Sequence, residues 1–271
     1  MIEPPHHPEL VERYRRARRD RGLAVLEGFH ALKHAMRFGA DPEEAVCRDP
    51  AALADLARRL APDVAERVTA LVSPVPGQLF ERLSPHPPPS GVIALARRPQ
   101  VDVDRLLARP GPAPVVLLER PRHLGNLGAA VRVTAAAGAA GLLATGEHDP
   151  WHPTAVRGAA GLHFALPVVR LDEPGTPRGE SPPRTERGSG DLASRLRDRP
   201  LVALDPSGEP LRPGLIPDRA VLAFGSERRG LSTALLDASD LRVALPMRPG
   251  VSSLNLATAV AATLYARRIC G

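Results

Sequence analysis

Two short apolar runs near the C-terminus, residues 221–224 and 241–245, each open into a turn marked by glycine and serine, and each turn leads into helical sequence. The first turn reads Phe224-Gly225-Ser226-Glu227-Arg228-Arg229-Gly230-Leu231. The second reads Leu245-Pro246-Met247-Arg248-Pro249-Gly250-Val251-Ser252-Ser253-Leu254-Asn255. Strand, turn and helix in succession, twice over, is the pattern of an open α/β sheet, which places its ligands beyond the carboxyl ends of its strands. A third turn upstream, Gly125-Asn126-Leu127-Gly128, completes the set.

The rest of the C-terminal half repeats the pattern. Residues 115–118, 140–144, 166–170 and 201–204 read as strands, and 126–138 as a helix stopped by Gly138. The final helix is expected over 253–268, where Arg267 and Arg268 carry charge suited to a helix C-terminus. Residues 172–190 hold Pro, Gly, Arg, Ser and Glu without apolar periodicity, the composition of a mobile insertion.

Upstream, residues 8–21 carry Arg15, Arg16, Arg18 and Arg19 among sparse apolar positions, and predict an exposed basic helix that touches RNA or is simply a solvated face. Strands at 23–26, 45–47, 68–72 and 91–96 alternate with helices at 29–36, 51–60 and 74–83, which makes a small α/β domain over 1–97. The prolines and arginines of 98–113 mark a linker, and 114–271 forms the second domain.

Composition narrows the partners. The 36 basic residues outnumber 30 acidic ones, and Lys33 is the only lysine among them. Arginine forks suit phosphate, so nucleic acid is a natural partner, although a GC-rich genome also produces such a bias. The two cysteines, Cys47 and Cys270, are too few for a disulfide framework and lack metal-ligand spacing; His6-His7 reads as part of a disordered tail. No metal is expected. Arginines interrupt every apolar stretch before the ~18 residues of a membrane span, and the N-terminus lacks the basic-then-apolar order of a signal peptide. A cytoplasmic protein is expected.

The three turns resemble the three motifs of the SpoU/TrmH branch of the SPOUT superfamily, RNA ribose 2′-O-methyltransferases with a C-terminal trefoil knot. Asn126, Gly128, Arg132 and Gly138 match the first motif, Phe224 to Glu227 with Gly230-Leu231 the second, and Pro246-Met247 through Val251-Ser252-Ser253-Leu254-Asn255 the third. Trp151-His152-Pro153, Val156-Arg157, Gly161 and the residues from Phe164 to Val168 are also similar to the family. Leu26-Glu27-Gly28 and Ser90-Gly91-Val92-Ile93-Ala94 resemble a ribosomal-protein-like N-terminal domain that helps such enzymes bind RNA. The chain departs from the family at Arg228, where glycine is usual, at Ala159, where serine is common, and in the 172–190 insertion. An arginine at 228 would be strained if the turn needs a positive φ there.

The resemblance implies a homodimer built through the knotted domain, with S-adenosylmethionine as methyl donor and RNA, ribosomal rather than transfer, as substrate. It makes Arg132 the catalytic residue, with Asn126, Glu227, Ser253 and Asn255 around it. Arginine holds its proton tightly, so its physical role is to bind phosphate and stabilise a developing alkoxide. Asn126 precedes Arg132 by six residues, about 240° around a helix, so the two do not share a face, and Asn126 reads as an N-cap or turn former. Ser253 and Asn255 read as caps of the last helix. The cofactor falls to Leu204, Phe224, Gly225, Ser226, Gly230, Leu245, Met247, Ser253 and Leu254, where glycine turns let backbone groups reach a nucleoside; plain core packing competes for Leu245 and Leu254. Arg157 and Arg228 join the N-terminal arginines as RNA contacts, with a structural ion pair the competing role of Arg157. A non-catalytic RNA binder of the same fold is the alternative. A nucleotide-binding oxidoreductase is poor, because no G-x-G-x-x-G follows a first strand.

Overall fold

A computed structural model describes residues 8–171, 196 and 198–270. The 172–190 insertion and His6-His7 lie outside the described residues. The chain folds into two compact units. One comprises the described residues up to Gln100 together with Trp151–Ala165, the other Val101–Pro150 together with the described residues from Leu166 onward.

The first unit is built on a four-stranded sheet of β1 (Leu23–Glu27), β2 (Pro42–Cys47), β3 (Val72–Pro74) and β4 (Val92–Arg97), in the order β1-β4-β2-β3. The central strand β4 runs antiparallel to β1 and β2, and β3 lies parallel to β2. The basic stretch near the N-terminus is a helix, Pro8–Ala17, but it is not exposed all round. Tyr14 and Ala17 are buried against Val25, Val46, Phe80, Ile93 and Leu95, with Leu10 and Val11 packed beside them. Apolar residues at 10, 11, 14 and 17 follow helical spacing, which suffices for one buried stripe. A second expectation also changes: 68–72 is not a strand. Helix Ala65–Leu71 occupies it, and only at Val72 does β3 begin. Val68 is fully buried on that helix, and Thr69 donates its hydroxyl to the Ala65 carbonyl at 3.1 Å, so tertiary burial overrides local β preference.

Glu27, at the end of β1 and only 5% exposed, explains the Leu26-Glu27-Gly28 pattern. It accepts from the Arg18 guanidinium at 2.7 Å and the Ser84 hydroxyl at 2.5 Å, and pairs with Arg157 at 3.6 Å. One buried carboxylate thus joins the end of the first helix, the loop after helix Gly77–Arg82, and helix Pro153–Gly158. The segment holding that last helix packs closely on helix Phe29–Arg37. Gly161 sits at φ +75°, where a Cβ would fall 2.3 Å from the Ala31 carbonyl oxygen, so glycine is required. Nearby, His34 donates from Nδ1 to the Ala160 carbonyl at 2.7 Å, and burial draws its pKa down. The Trp151 ring packs against His163 and Phe164.

The second unit contains a six-stranded sheet of β5 (Val115–Leu118), β6 (Gly141–Ala144), β7 (Val168–Arg170), β8 (Leu201–Pro210), β9 (Val221–Phe224) and β10 (Leu241–Ala244). The order is β10-β8-β9-β5-β6-β7, and every neighbouring pair is parallel. The strands β5, β6 and β9 are buried along their whole length, which is why they read as continuous apolar runs rather than alternating ones. Within the stretch read as a linker, Val103–Ala108 is a helix capped by the Asp102 side chain, and its Leu106 and Leu107 enter this unit's core. The prolines bound the helix; they do not exclude one.

Arg199, 2% exposed, is a buried cation that the sequence did not announce. It donates to the carbonyls of Leu107, Ala113, Arg219, Leu106 and Arg109 at 2.7–3.4 Å. Three of these lie at the C-terminal end of helix Val103–Ala108, where unpaired carbonyls favour a cation. Burial, and then the charge of Arg219, lower its pKa.

Candidate active site

Leu204 of β8 lies beside Phe224 at the carboxyl end of β9, and Phe224 beside Leu118 at the carboxyl end of β5, with β10 beyond β8 and parallel to it. All three motif turns leave from this edge. After β5 the chain passes through Glu119 to His123 and enters helix Leu124–Ala136, which places Asn126 in the first helical turn. Asn126 is therefore not the N-cap; that position is His123.

The motif-two turn closes on itself. Ser226 and Gly230 exchange backbone hydrogen bonds of 3.1 and 3.0 Å, and Arg229 N–H donates to Ser226 Oγ at 3.3 Å. A Cβ on Gly225 would lie 1.9 Å from the Gly230 carbonyl carbon, so no side chain fits there. The left-handed residue of the turn is Gly230, at φ +64°; Arg228 is not in that region and bears no such strain. Glu119 fixes the exit, accepting from Ser232 N–H at 2.6 Å.

Glu227 at the tip points back into the unit. Its Oε1 accepts from Asn126 Nδ2 at 2.8 Å and its Oε2 from Arg122 N–H at 3.0 Å. Burial raises its pKa, but the bonds from Asn126, its own N–H and Arg122, with the charge of His123, outweigh this and leave the group below its ordinary value. Asn126 Oδ1 then accepts from Asn255 Nδ2 at 2.9 Å. Asn255 Oδ1 in turn accepts from Ala257 and Thr258 N–H at 3.0 and 3.4 Å, capping helix Leu256–Cys270. Each amide orientation follows from its neighbours. An ionised carboxylate only accepts and a helix N–H only donates, so both asparagines must point as they do. One residue from each motif joins in a single polar chain.

The other expected residues distribute around it. Arg132 lies on the same helix as Asn126 but on another face; it is exposed, and its side chain has no hydrogen-bond or ion-pair partner among the described residues. Ser253 is exposed and does not share the capping role. The 245–255 stretch belongs to no strand or helix, and beyond the turn bond from Val251 to Arg248 the peptide groups of Leu245, Met247, Ser252, Ser253 and Leu254 form no backbone hydrogen bonds among the described residues. Val251 and Leu254 expose 48% and 41% of their surface, so Leu254 is not a core residue, while Leu245 and Met247 are partly buried. Such peptide groups beside apolar side chains form a suitable wall for a nucleoside, together with Phe224 and Gly225 at the end of β9 and Leu204 next to them on β8. Among the RNA candidates, Arg15 and Arg16 each pair with Glu12 at 2.9 Å, Arg18 and Arg157 meet Glu27, and Arg19 and Arg228 are exposed. The reading missed Arg122 and Glu119, whose partners lie 105 and 113 residues away and leave no local signal. Among the described residues no cluster of side chains fits a metal ion, and no helix is long and apolar enough to cross a membrane.

The profile of the SpoU rRNA Methylase family matches residues 113–176 and 189–265, more than half of the chain. The chain belongs to this family. It is 32% identical over 199 residues to a 23S rRNA (uridine(2479)-2′-O)-methyltransferase of Streptomyces viridochromogenes, a match covering 73% of this chain and 66% of that protein. It is 28% identical over 263 residues to an uncharacterized tRNA/rRNA methyltransferase of Synechocystis, covering 93% and 86%. The chain thus spans about two-thirds of the first relative and most of the second. Among solved structures, the SpoU methyltransferase AviRb from Streptomyces viridochromogenes, in complex with the cofactor AdoMet, superimposes with a TM-score of 0.73 at 25% identity, covering 98% of this chain and all of that one. The α/β architecture of this SpoU family member is the one these methyltransferases share.

Proposed function

We propose that this SpoU family member transfers a methyl group from S-adenosylmethionine to a ribose 2′-hydroxyl of structured RNA, ribosomal rather than transfer RNA. The observation that carries the reading is the chain from Glu227 through Asn126 to Asn255, which assembles the three motifs at the carboxyl edge of a parallel sheet. Arg132 and Asn255 are both present and the named relatives are methyltransferases, so the non-catalytic alternative is not favoured. The relatives named as 23S rRNA 2′-O-methyltransferases support the ribosomal substrate.

S-adenosylmethionine supplies a methyl group activated by its sulfonium. The turns around Gly225 and the 245–254 stretch would hold it through backbone groups and the Leu245, Met247 and Leu254 side chains. Glu227 and Asn126 keep the motif-two turn and the first-motif helix in fixed relation, which positions nucleophile and donor. Arg132, whose side chain has no partner among the described residues, binds the RNA phosphate and stabilises the alkoxide that develops as the hydroxyl loses its proton. The knotted path of the C-terminal domain and a cytoplasmic site of action belong to the same proposal. So does a homodimer: Tyr265 and Ile269, 39% and 77% exposed on the last helix, offer an apolar face for a second copy.

The test is methyl transfer from radiolabelled S-adenosylmethionine to RNA from cells lacking the gene. Label surviving in an alkali-resistant dinucleotide establishes ribose methylation and locates the site. Absence of both cofactor binding by calorimetry and label on any RNA would overturn the reading and favour the non-catalytic RNA binder.

A further inference from the structure

Three arginines surround Glu227, yet none of them neutralises it. Arg122 contributes only its backbone N–H to the carboxylate, Arg228 follows it directly, and Arg229 donates its backbone N–H to Ser226. All three side chains are exposed, and none has a hydrogen-bond or ion-pair partner among the described residues. The nearby acids are already committed. Glu227 spends one oxygen on Asn126 and the other on Arg122 N–H, and Glu119 accepts from Ser232. Several other arginines of the same unit do find oxygens: Arg199 takes five carbonyls, Arg212 pairs with Glu209, Arg242 with Asp237 and Arg267 with Asp218.

We propose that Arg122, Arg228 and Arg229 form a phosphate clamp that grips the RNA backbone at the edge where the three motif turns meet. The inference rests on the methyltransferase reading and adds to it the residues that hold the substrate strand. The geometry supports a clamp rather than three loose charges. The hydrogen bond from Arg122 N–H to Glu227 holds the loop after β5 against the motif-two tip, and the paired Ser226–Gly230 bonds keep that tip narrow. Exposed guanidinium forks on two adjoining backbones, without carboxylate partners among the described residues, attract an anion and match phosphate oxygens in pairs. The contacts would be with the backbone, so they add affinity and register without reading base sequence.

The test measures RNA affinity of the full-length protein across a salt series. The probes are poly(U) and deproteinised bacterial 23S rRNA, and the variants are Arg122→Gln, Arg228→Gln and Arg229→Gln, singly and combined. The triple variant is expected to weaken binding to both RNAs roughly 10- to 100-fold near physiological salt. It should also flatten the slope of log affinity against log salt by about one per arginine removed. The corresponding triple lysine variant should restore most of the slope, which separates lost charge from lost fold. Arg105→Gln, an exposed change on helix Val103–Ala108, is the control for net charge and should leave the slope as in wild type. A triple variant with wild-type slope, or an Arg105→Gln loss as large as that of each clamp residue, overturns the clamp. So does a loss confined to S-adenosylmethionine affinity, which would assign the arginines to the cofactor carboxylate. Methylation of rRNA by the wild type beside an unchanged variant slope removes the clamp and leaves the reaction standing. Arginine-dependent RNA binding without methylation by the wild type does the reverse.

Discussion

Asn255 donates a 2.9 Å hydrogen bond to Asn126 across 129 residues of sequence, and through it the last helix is tied to the first-motif helix. Asn126 passes the link on to Glu227. Because the carboxylate at one end only accepts and the helix N–H groups at the other only donate, the chain has one polarity and tolerates no reversal.

Asn126→Asp tests that polarity directly. It replaces a donor facing Glu227 with an acceptor that is ionised at neutral pH. A charge-assisted bond is lost and repulsion takes its place, so turnover should fall by about 10- to 100-fold or more. Steady-state kinetics beside calorimetric cofactor binding would check it. An aspartate variant as active as wild type would remove the chain from the positioning role.

Arg132→Ala should abolish methyl transfer, by ~10²-fold at least if the guanidinium stabilises the developing alkoxide, while cofactor binding stays close to wild type. The side chain has no partner among the described residues, so folding should not suffer. Single-turnover assays on rRNA give the answer. Near-normal turnover would exclude Arg132 from the mechanism.

Glu227 gives a pH signature. Its pKa lies below its ordinary value of 4.5, so the folded protein holds its proton less firmly than the unfolded chain. The stabilisation is complete above the unfolded value and is lost as pH falls through the folded one. Relative to Glu227→Gln, the wild type should therefore lose thermal stability more steeply as pH falls below 4.5. Melting temperatures at a series of acid pH values decide it; parallel curves for the two proteins would refute the assignment.

Glu27→Ala should destabilise the first unit by about 3–5 kcal/mol, because Arg18 would keep its buried position without its carboxylate. The Arg18 side chain is only 18% exposed and the Glu27 side chain 4%. Denaturant unfolding would show a lower midpoint. A change under about 1 kcal/mol would mean that the pair behaves like a surface ion pair.

Much of this molecule was legible along the chain. The continuous apolar runs of β5, β6 and β9 marked a parallel sheet covered on both faces, Gly138 marked a helix end, and the three turns marked the edge where the site lies. These are local signals, carried by periodicity and by residues with special backbone freedom, so a linear reading recovers them. What the sequence could not decide is which polar groups meet. Residues 8–21 read as an exposed basic helix, in contact with RNA or simply solvated, and 68–72 as a strand, whereas Tyr14 and Ala17 are buried and helix Ala65–Leu71 takes most of that strand. Nothing in the sequence signalled Arg199 among five carbonyls, or Arg122 at Glu227. Those outcomes depend on burial and on partners up to a hundred residues or more away. A hydrogen bond or ion pair between distant segments leaves no trace in local composition, and only the tertiary structure brings its two ends together.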